Sequence, residues 1–185
     1  MIHRPPLPDG MAPAAAAVPV LETERLVLRR PHGGDAPAII AFYNTERSQF
    51  VGGNLGRFNA WKQTAAMLGH WEVSGYGLWA VTARGSDEIL GLVGPFYPDG
   101  WPETEIGWVM FDGSEGQGYA QEAAKAAIAD VRTRLGWTEI VHYIAPENAR
   151  SIKLAERLGA VRDPEAATPK PDDPCLVYRQ PQVAA

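Results

Sequence analysis

Asp112-Gly113-Ser114-Glu115-Gly116-Gln117-Gly118-Tyr119-Ala120-Gln121-Glu122-Ala123 decides how this chain is read. It follows an apolar, strand-like run from Ile106 to Phe111 and feeds a long alanine-rich helical pattern. Gly113, Gly116 and Gly118 fall where the strand gives way to the helix. Glycine lets the backbone take positive φ and approach a ligand closely. The first N–H groups of a helix have no partner inside it, and the helix dipole puts partial positive charge at that end. Strand, glycine loop and helix N-terminus together form a cradle for an anion, most often phosphate. The loop has no Lys followed by Ser or Thr, which excludes a Walker A loop. Gln121 stands where a dinucleotide loop has its third glycine, and no acidic residue ends a following strand. A Gly-x-Gly after a strand also fits a plain tight turn, so the surrounding sequence must decide.

The surroundings carry a resemblance. Gly116-Gln117-Gly118-Tyr119-Ala120-Gln121-Glu122-Ala123 resembles the acetyl-coenzyme A pyrophosphate loop of the GNAT superfamily of N-acetyltransferases. Upstream, Glu105-Ile106-Gly107-Trp108-Val109-Met110 resembles the fourth strand of that family. Downstream, Pro146-Glu147-Asn148-Ala149-Arg150-Ser151 and then Glu156-Arg157-Leu158-Gly159-Ala160 resemble its second signature, an Asn opening a helix that ends in a Leu-Gly-apolar step. Leu21-Glu22-Thr23-Glu24-Arg25-Leu26-Val27-Leu28-Arg29 resembles the first strand of the branch that includes ribosomal-protein N-terminal acetylases. The matches run in order from about Leu21 to Gln180. One position departs: the family often has Gln or Arg three residues before the first loop glycine, where this chain has Gly113, so Arg or Lys elsewhere must supply charge.

The resemblance implies an α/β fold with a mixed, mostly antiparallel twisted sheet flanked by helices and a βαβ cofactor-binding unit. It implies an acyltransferase moving acetyl from acetyl-coenzyme A directly to a primary amine, either a protein N-terminus or a small molecule. Cofactor contacts would come from Val109, Met110, Phe111, Glu115, Gly116, Gln117, Gly118, Tyr119, Ala120 and Asn148. The pantetheine would enter between splayed strands, with the thioester oxygen facing the N–H of Val109 or Met110. A non-catalytic acyl-coenzyme A binding module on the same fold is the alternative, and a structural oligomer is a third reading. Many relatives pair, so a homodimer fits.

The 185 residues suit one domain of ordinary globular composition, with 45% hydrophobic residues. The apolar runs are too short to span a membrane. A net charge of −5 argues against nucleic acid as partner and is compatible with a cationic amine. The single cysteine, Cys175, allows no intrachain disulfide, which fits a reducing cytoplasm. It reads as packing rather than as a nucleophile. His3, His32, His70 and His142 are scattered, and no metal-ligand spacing occurs.

Residues 1–19 are rich in Pro and Ala and read as a disordered tail ahead of a domain over 20–185, with Met11 an alternative start to Met1. Val20 to Arg30 reads as a strand, and Asp35 as the cap of a helix from Ala36 to Asn44. Phe50 to Phe58 reads as a glycine-rich loop or lid. Asn59 is expected to cap a helix from Ala60 to Ser74 with Trp61, Met67, Leu68 and Trp71 on its apolar stripe. Leu78 to Ala83, Ile89 to Phe96 and Thr104 to Phe111 read as successive strands. The helix after Gly118 buries Ala120, Ala123, Ala124, Ala127, Ile128, Val131 and Leu135 and stops at Gly136. Ile140 to Ile144 is a strand parallel to the one before that helix, Asn148 caps the next helix, and Ala160 to Arg162 with Leu176 to Arg179 closes as a hairpin.

Transfer to an amine requires a polarised carbonyl, a deprotonated nucleophile and a stabilised thiolate. Glu105 is the candidate base, because the resemblance puts its strand beside the thioester. An exposed strand carboxylate or an ion-pair partner is the competing reading. Ser151 is the candidate acid toward the thiolate: parts of this branch place a Ser three residues after the helix-opening Asn, whereas the more usual Tyr is missing between Lys153 and Gly159. A first-turn Ser bonding backbone competes with that role. His142 and Tyr143 alternate, so one of them faces the pocket.

Overall fold

The computed structural model describes residues 18–169 and 174–182. Its eight strands are β1 (Leu21–Glu22), β2 (Leu26–Arg29), β3 (Trp79–Ala83), β4 (Ile89–Phe96), β5 (Glu105–Met110), β6 (Val141–Ile144), β7 (Val161–Arg162) and β8 (Leu176–Arg179). Its four α-helices are α1 (Ala36–Tyr43), α2 (Gly56–Ser74), α3 (Tyr119–Arg134) and α4 (Ala149–Arg157). The strands form one sheet in the order β1-β2-β3-β4-β5-β6-β8-β7. Every pairing is antiparallel except that of β5 with β6, which α3 connects as a βαβ unit.

Side-chain alternation gives the sheet two apolar faces. Leu26, Leu28, Trp79, Val81, Val93 and Ile106 pack on one face against Ala123, Ala124, Ala127, Ile128 and Val131 of α3. The alanines keep that helix close to the sheet. Leu78, Ala80, Leu92 and Phe111 face the other way, against Ile39, Phe42 and Tyr43 of α1 and Ala60 and Met67 of α2. Gly77 admits Trp71 between these layers: a Cβ there would lie 2.7 Å from the Trp71 Nε1, which donates to the Leu78 carbonyl at 3.0 Å.

Four local expectations change. The stretch Val20 to Arg30 is a hairpin of β1 and β2, because Thr23 closes a turn in which its amide donates to the Leu26 carbonyl at 3.0 Å. Asp35 does not cap α1 through its side chain; both its oxygens are held by the Arg29 guanidinium at 2.8 Å. α2 begins at Gly56 rather than Ala60, after a 3-10 turn over Glu46–Phe50, so Asn59 lies inside it. Its buried stripe is Ala60, Thr64, Met67 and Trp71, while Trp61 is 56% exposed. The expected tail falls mostly on residues 1–17, outside the described residues. Its last two residues are anchored: Val18 packs on the core, and the Pro19 carbonyl accepts from Trp79 Nε1 at 3.1 Å.

Candidate active site

The site forms where β5 and β6 part. They share one register pair, Glu105 with Val141, and the Val141 amide donates to the Thr104 carbonyl at 3.0 Å. A continuing parallel ladder would next bring the Tyr143 amide to the Ile106 carbonyl. Instead the His142 side chain occupies that carbonyl, with Nδ1 at 2.7 Å, and the Tyr143 amide faces the Glu105 carboxylate. Beyond this point the two strands diverge, with Glu105 at the vertex.

His142 is the wedge. A carbonyl only accepts, so its Nδ1 carries the proton and its Nε2 accepts from the Gln180 amide at 2.9 Å. Burial pushes the imidazole down to about 4, so it is neutral at pH 7. The Trp108 ring lies against it, 4.7 Å between centroids. His142 and Tyr143 both line the cleft that opens from the vertex.

Pairing with β4 fixes which β5 groups face the gap. The Phe111 amide donates to the Leu90 carbonyl at 2.8 Å, and Val109 is in register with Leu92, so odd-numbered residues bond toward β4. Even-numbered residues face the gap, as the bonds to the Thr104 and Ile106 carbonyls show. Of the two amides left open by the sequence, Met110 is the one directed into the gap. Phe111 departs from its expected role: its amide is used by Leu90, its carbonyl accepts from Ser114, and its ring stacks on Phe42 at 5.2 Å.

Two clefts meet at this seam. One, of about 810 Å³, contains Glu105, Trp101, Tyr143 and Phe96. The other, of about 1070 Å³, contains Met110, Glu115, Gly116, Gly118, Tyr119 and Ala120. Val109, Trp108, Asn148 and Ser151 line both.

In the first cleft, Trp101 Nε1 donates to Glu105 Oε2 at 2.9 Å. Burial pushes the Glu105 carboxyl up to about 7, against the opposing pull of Trp101 and the Tyr143 amide. At the seam, Asn148 opens α4 by accepting from the Ser151 amide at 3.2 Å. Trp108 Nε1 donates to Ser151 Oγ at 3.1 Å.

The second cleft ends on the glycine cradle. Gly116 and Gly118 take φ of +77° and +80°, conformations that glycine adopts without a Cβ clash. A Cβ at Gly116 would meet nothing within 4 Å, so the space before α3 is open. The first bond of α3 runs from the Glu122 amide to the Gly118 carbonyl at 3.1 Å, which leaves the amides of Tyr119, Ala120 and Gln121 without intrahelical partners. The Gln117 side chain does not join them; it folds back to the Gly113 carbonyl at 3.1 Å. Glu115 bonds Arg47 and lies 3.9 Å from Arg150. Burial raises the Glu115 carboxyl, but its own amide, Arg47 and Arg150 outweigh that and hold it below the usual carboxylate range.

The sequence left the positive charge unassigned. Arg150, Lys153 and Arg157, spaced three and four apart on α4, all line this cleft, as does Arg47. Their spacing was legible; that this face of α4 looks across at Gly116 and Gly118 was not. Trp101 and Trp108 also went unnoticed, because a Trp in a turn or strand reads as packing. Among the described residues, no three His, Cys, Asp or Glu side chains gather as a metal site, and no helix is long and apolar enough to cross a membrane.

Strands that part beside a glycine cradle at a helix N-terminus are the arrangement that the resemblance to GNAT acetyltransferases implied. The GNAT acetyltransferase domain matches residues 25–161, and the chain belongs to that family. An acetyltransferase structure from Agrobacterium tumefaciens is 35% identical, covers 94% of this chain and 100% of its own, and superposes with a TM-score of 0.83. A Bacillus subtilis protein described as the uncharacterized N-acetyltransferase YoaA is 28% identical over 149 residues, 76% of this chain and 82% of that protein. RimL, a ribosomal L7/L12 alpha-N-protein acetyltransferase solved with coenzyme A, shares the fold at 16% identity, with a TM-score of 0.67 over 88% of this chain and 97% of its own.

Proposed function

We propose that this chain transfers acetyl from acetyl-coenzyme A to a primary amine, with Glu105 as general base and Ser151 as proton donor to the leaving thiolate. The observation that carries the reading is the parting of β5 and β6 with those two side chains on the clefts that meet there. Membership of the GNAT family supports acyl transfer from an acyl-coenzyme A, and a protein of the same fold, RimL, was solved with coenzyme A.

Coenzyme A would bring the acetyl thioester and an anionic tail. The cradle amides and the Arg150, Lys153 and Arg157 face would take the phosphates. The Met110 amide would bond the thioester oxygen as it gains charge. A carboxyl held near 7 is partly ionised at neutral pH, which suits a base that takes a proton from an ammonium directly or through one water. The amine nitrogen then forms its bond to the carbonyl carbon, and the carbon–sulfur bond breaks. The nitrogen loses its second proton to solvent as the amide forms. Ser151 gives a proton to the thiolate and regains one from solvent. No enzyme group is acylated. The cytoplasm is the proposed compartment.

The test is release of free thiol from acetyl-coenzyme A with an amine panel, using wild type, Glu105→Gln and Ser151→Ala. Loss of turnover in the variants with retained coenzyme binding supports both roles. Unchanged turnover removes the catalytic assignment, and absence of turnover in wild type on every amine leaves a binding module.

A further inference from the structure

Glu122 sits in the first turn of α3, just after the glycine cradle, and its carboxylate is held by the turn between β1 and β2. Thr23 Oγ1 donates to Glu122 Oε1 at 2.6 Å, and the Arg25 amide donates to the same oxygen at 2.9 Å. The Arg25 guanidinium meets Oε2 through Nε and Nη2, each at 2.7 Å. Burial raises the Glu122 carboxyl, but Thr23 and Arg25 outweigh that and hold it below the usual carboxylate range.

Arg25 carries this contact on to the cradle. Its Nη1 donates to the Gln117 carbonyl at 3.0 Å, and its guanidinium carbon lies over the Tyr119 ring, 4.8 Å from the centroid. Its Nη2 stands 3.4 Å from where a Cβ on Gly118 would be. Gly116, Gly118 and Tyr119 line the cleft, whereas Arg25 lies outside its lining. Gly116 and Gly118 both take positive φ, and glycine has the most backbone freedom to lose. A loop of such residues binds more tightly when its shape is fixed beforehand. In a trans peptide the carbonyl and the next N–H point to opposite sides. A guanidinium that grips the Gln117 carbonyl therefore fixes the direction of the Gly118 N–H.

Resting on the acyl-transfer reading above, we propose that Glu122 and Arg25 are positioning residues for the coenzyme pyrophosphate. Glu122 anchors the guanidinium, and the guanidinium holds the Gln117 carbonyl so that the Gly118 amide already faces the phosphate. Neither side chain touches the coenzyme. The claim has a sign that charge alone does not share. A carboxylate beside an anion site repels the anion, so by charge its removal tightens binding; by position its removal weakens binding.

The experiment is calorimetric titration of coenzyme A into the full chain, Glu122→Gln, Arg25→Met and the double variant, at low and high salt, with a melting check. Gln keeps an oxygen for Thr23 but turns an NH₂ group toward the Arg25 donors. Glu122→Gln should raise the Kd about 10-fold, the scale of one charge-assisted hydrogen bond lost, although it removes a negative charge. Arg25→Met should raise it by a similar factor. Its side chain is 45% exposed, so this variant carries the test if Glu122→Gln loosens the fold. The double variant should bind no more weakly than the weaker single, because both act through one peptide. It removes one charge of each sign, so its Kd should keep the wild-type salt dependence. Unchanged or tighter binding in Glu122→Gln, or in Arg25→Met, overturns the positioning role. Additive losses overturn it as well, and a flattened salt dependence in the double variant would mean that Arg25 meets the phosphate itself. Failure of the folded wild-type chain to bind coenzyme A overturns the acyl-transfer reading instead.

Discussion

The indole N–H of Trp108 donates to the hydroxyl oxygen of Ser151 at 3.1 Å, linking β5 to the first turn of α4 across the gap between the two clefts. An indole nitrogen is a donor only, so the Ser151 oxygen accepts and its proton stays available to another acceptor. The same ring lies against His142, the wedge that parts the strands. One tryptophan therefore positions the proposed acid and braces the opening.

Ser151→Ala should lower kcat about 10²- to 10⁴-fold, the range for loss of one proton-transfer group, while the coenzyme Kd and the melting temperature hold. Trp108→Phe keeps a ring against His142 but removes the N–H, and should give a smaller loss in kcat. The double variant should be no slower than Ser151→Ala alone, because both changes act through one hydroxyl. Steady-state kinetics with a melting check measures this; additive losses would separate the two residues.

Glu105 predicts the pH profile. Its carboxyl sits at about 7 and must be ionised to act as base, so kcat/KM should rise with pH through about 7 and then level. Glu105→Gln should remove that limb and cost about 10²- to 10⁴-fold. An unchanged limb in the variant would assign the titration to another group.

His142 predicts acid sensitivity. Its pKa is about 4 in the folded chain against 6.5 for a free imidazole. Below 6.5 the unfolded chain takes up a proton that the folded one refuses, so stability from this group falls as pH drops from 6.5 toward 4. The ceiling is about 3 kcal/mol. His70, also held at about 4 by burial, acts in the same direction. Glu105 acts oppositely, losing stability as pH rises from 4.5 toward 7, so the comparison belongs in a Glu105→Gln background. Denaturant unfolding at pH 7 and pH 5 should show a smaller acid loss once His142→Asn is added. An equal loss would mean that His142 is protonated in the fold.

The α4 cations predict how the coenzyme is held. Lys153→Ala and Arg157→Ala should each raise the Kd about 3- to 10-fold, as expected for a lost charge-assisted contact to phosphate, and should flatten its salt dependence. Unchanged affinity and salt dependence would place the phosphates elsewhere.

The βαβ unit could be read from the sequence because its signals are local. Gly116 and Gly118 mark the cradle, the alanine face of α3 marks its packing, and Asn148 marks the next helix. The hairpin at Thr23 was less visible, since Leu21 to Arg29 alternates without a turn glycine and the turn is closed by Thr23 itself. The start of α2 was misplaced because Gly56 is a poor helix former and tertiary packing of Ala60 and Met67 overrides it. The seam was illegible for a different reason. That His142 takes the Ile106 carbonyl, and that Trp101 reaches Glu105, depends on register between elements that spacing along one strand does not encode.

The most direct measurement is calorimetric titration of the folded chain with acetyl-coenzyme A, alongside Gly118→Trp. Gly118 takes a φ of +80° at the mouth of α3, and a Cβ there would lie 3.4 Å from the Arg25 guanidinium, so an indole crowds Arg25 beside the cradle and strains the backbone. A Kd of about 10 µM or tighter in wild type, lost in a variant that still melts cooperatively, is the predicted result; such an affinity corresponds to about 7 kcal/mol. A folded wild-type chain that takes up no acetyl-coenzyme A, or a Gly118→Trp chain that binds it equally well, would contradict the account.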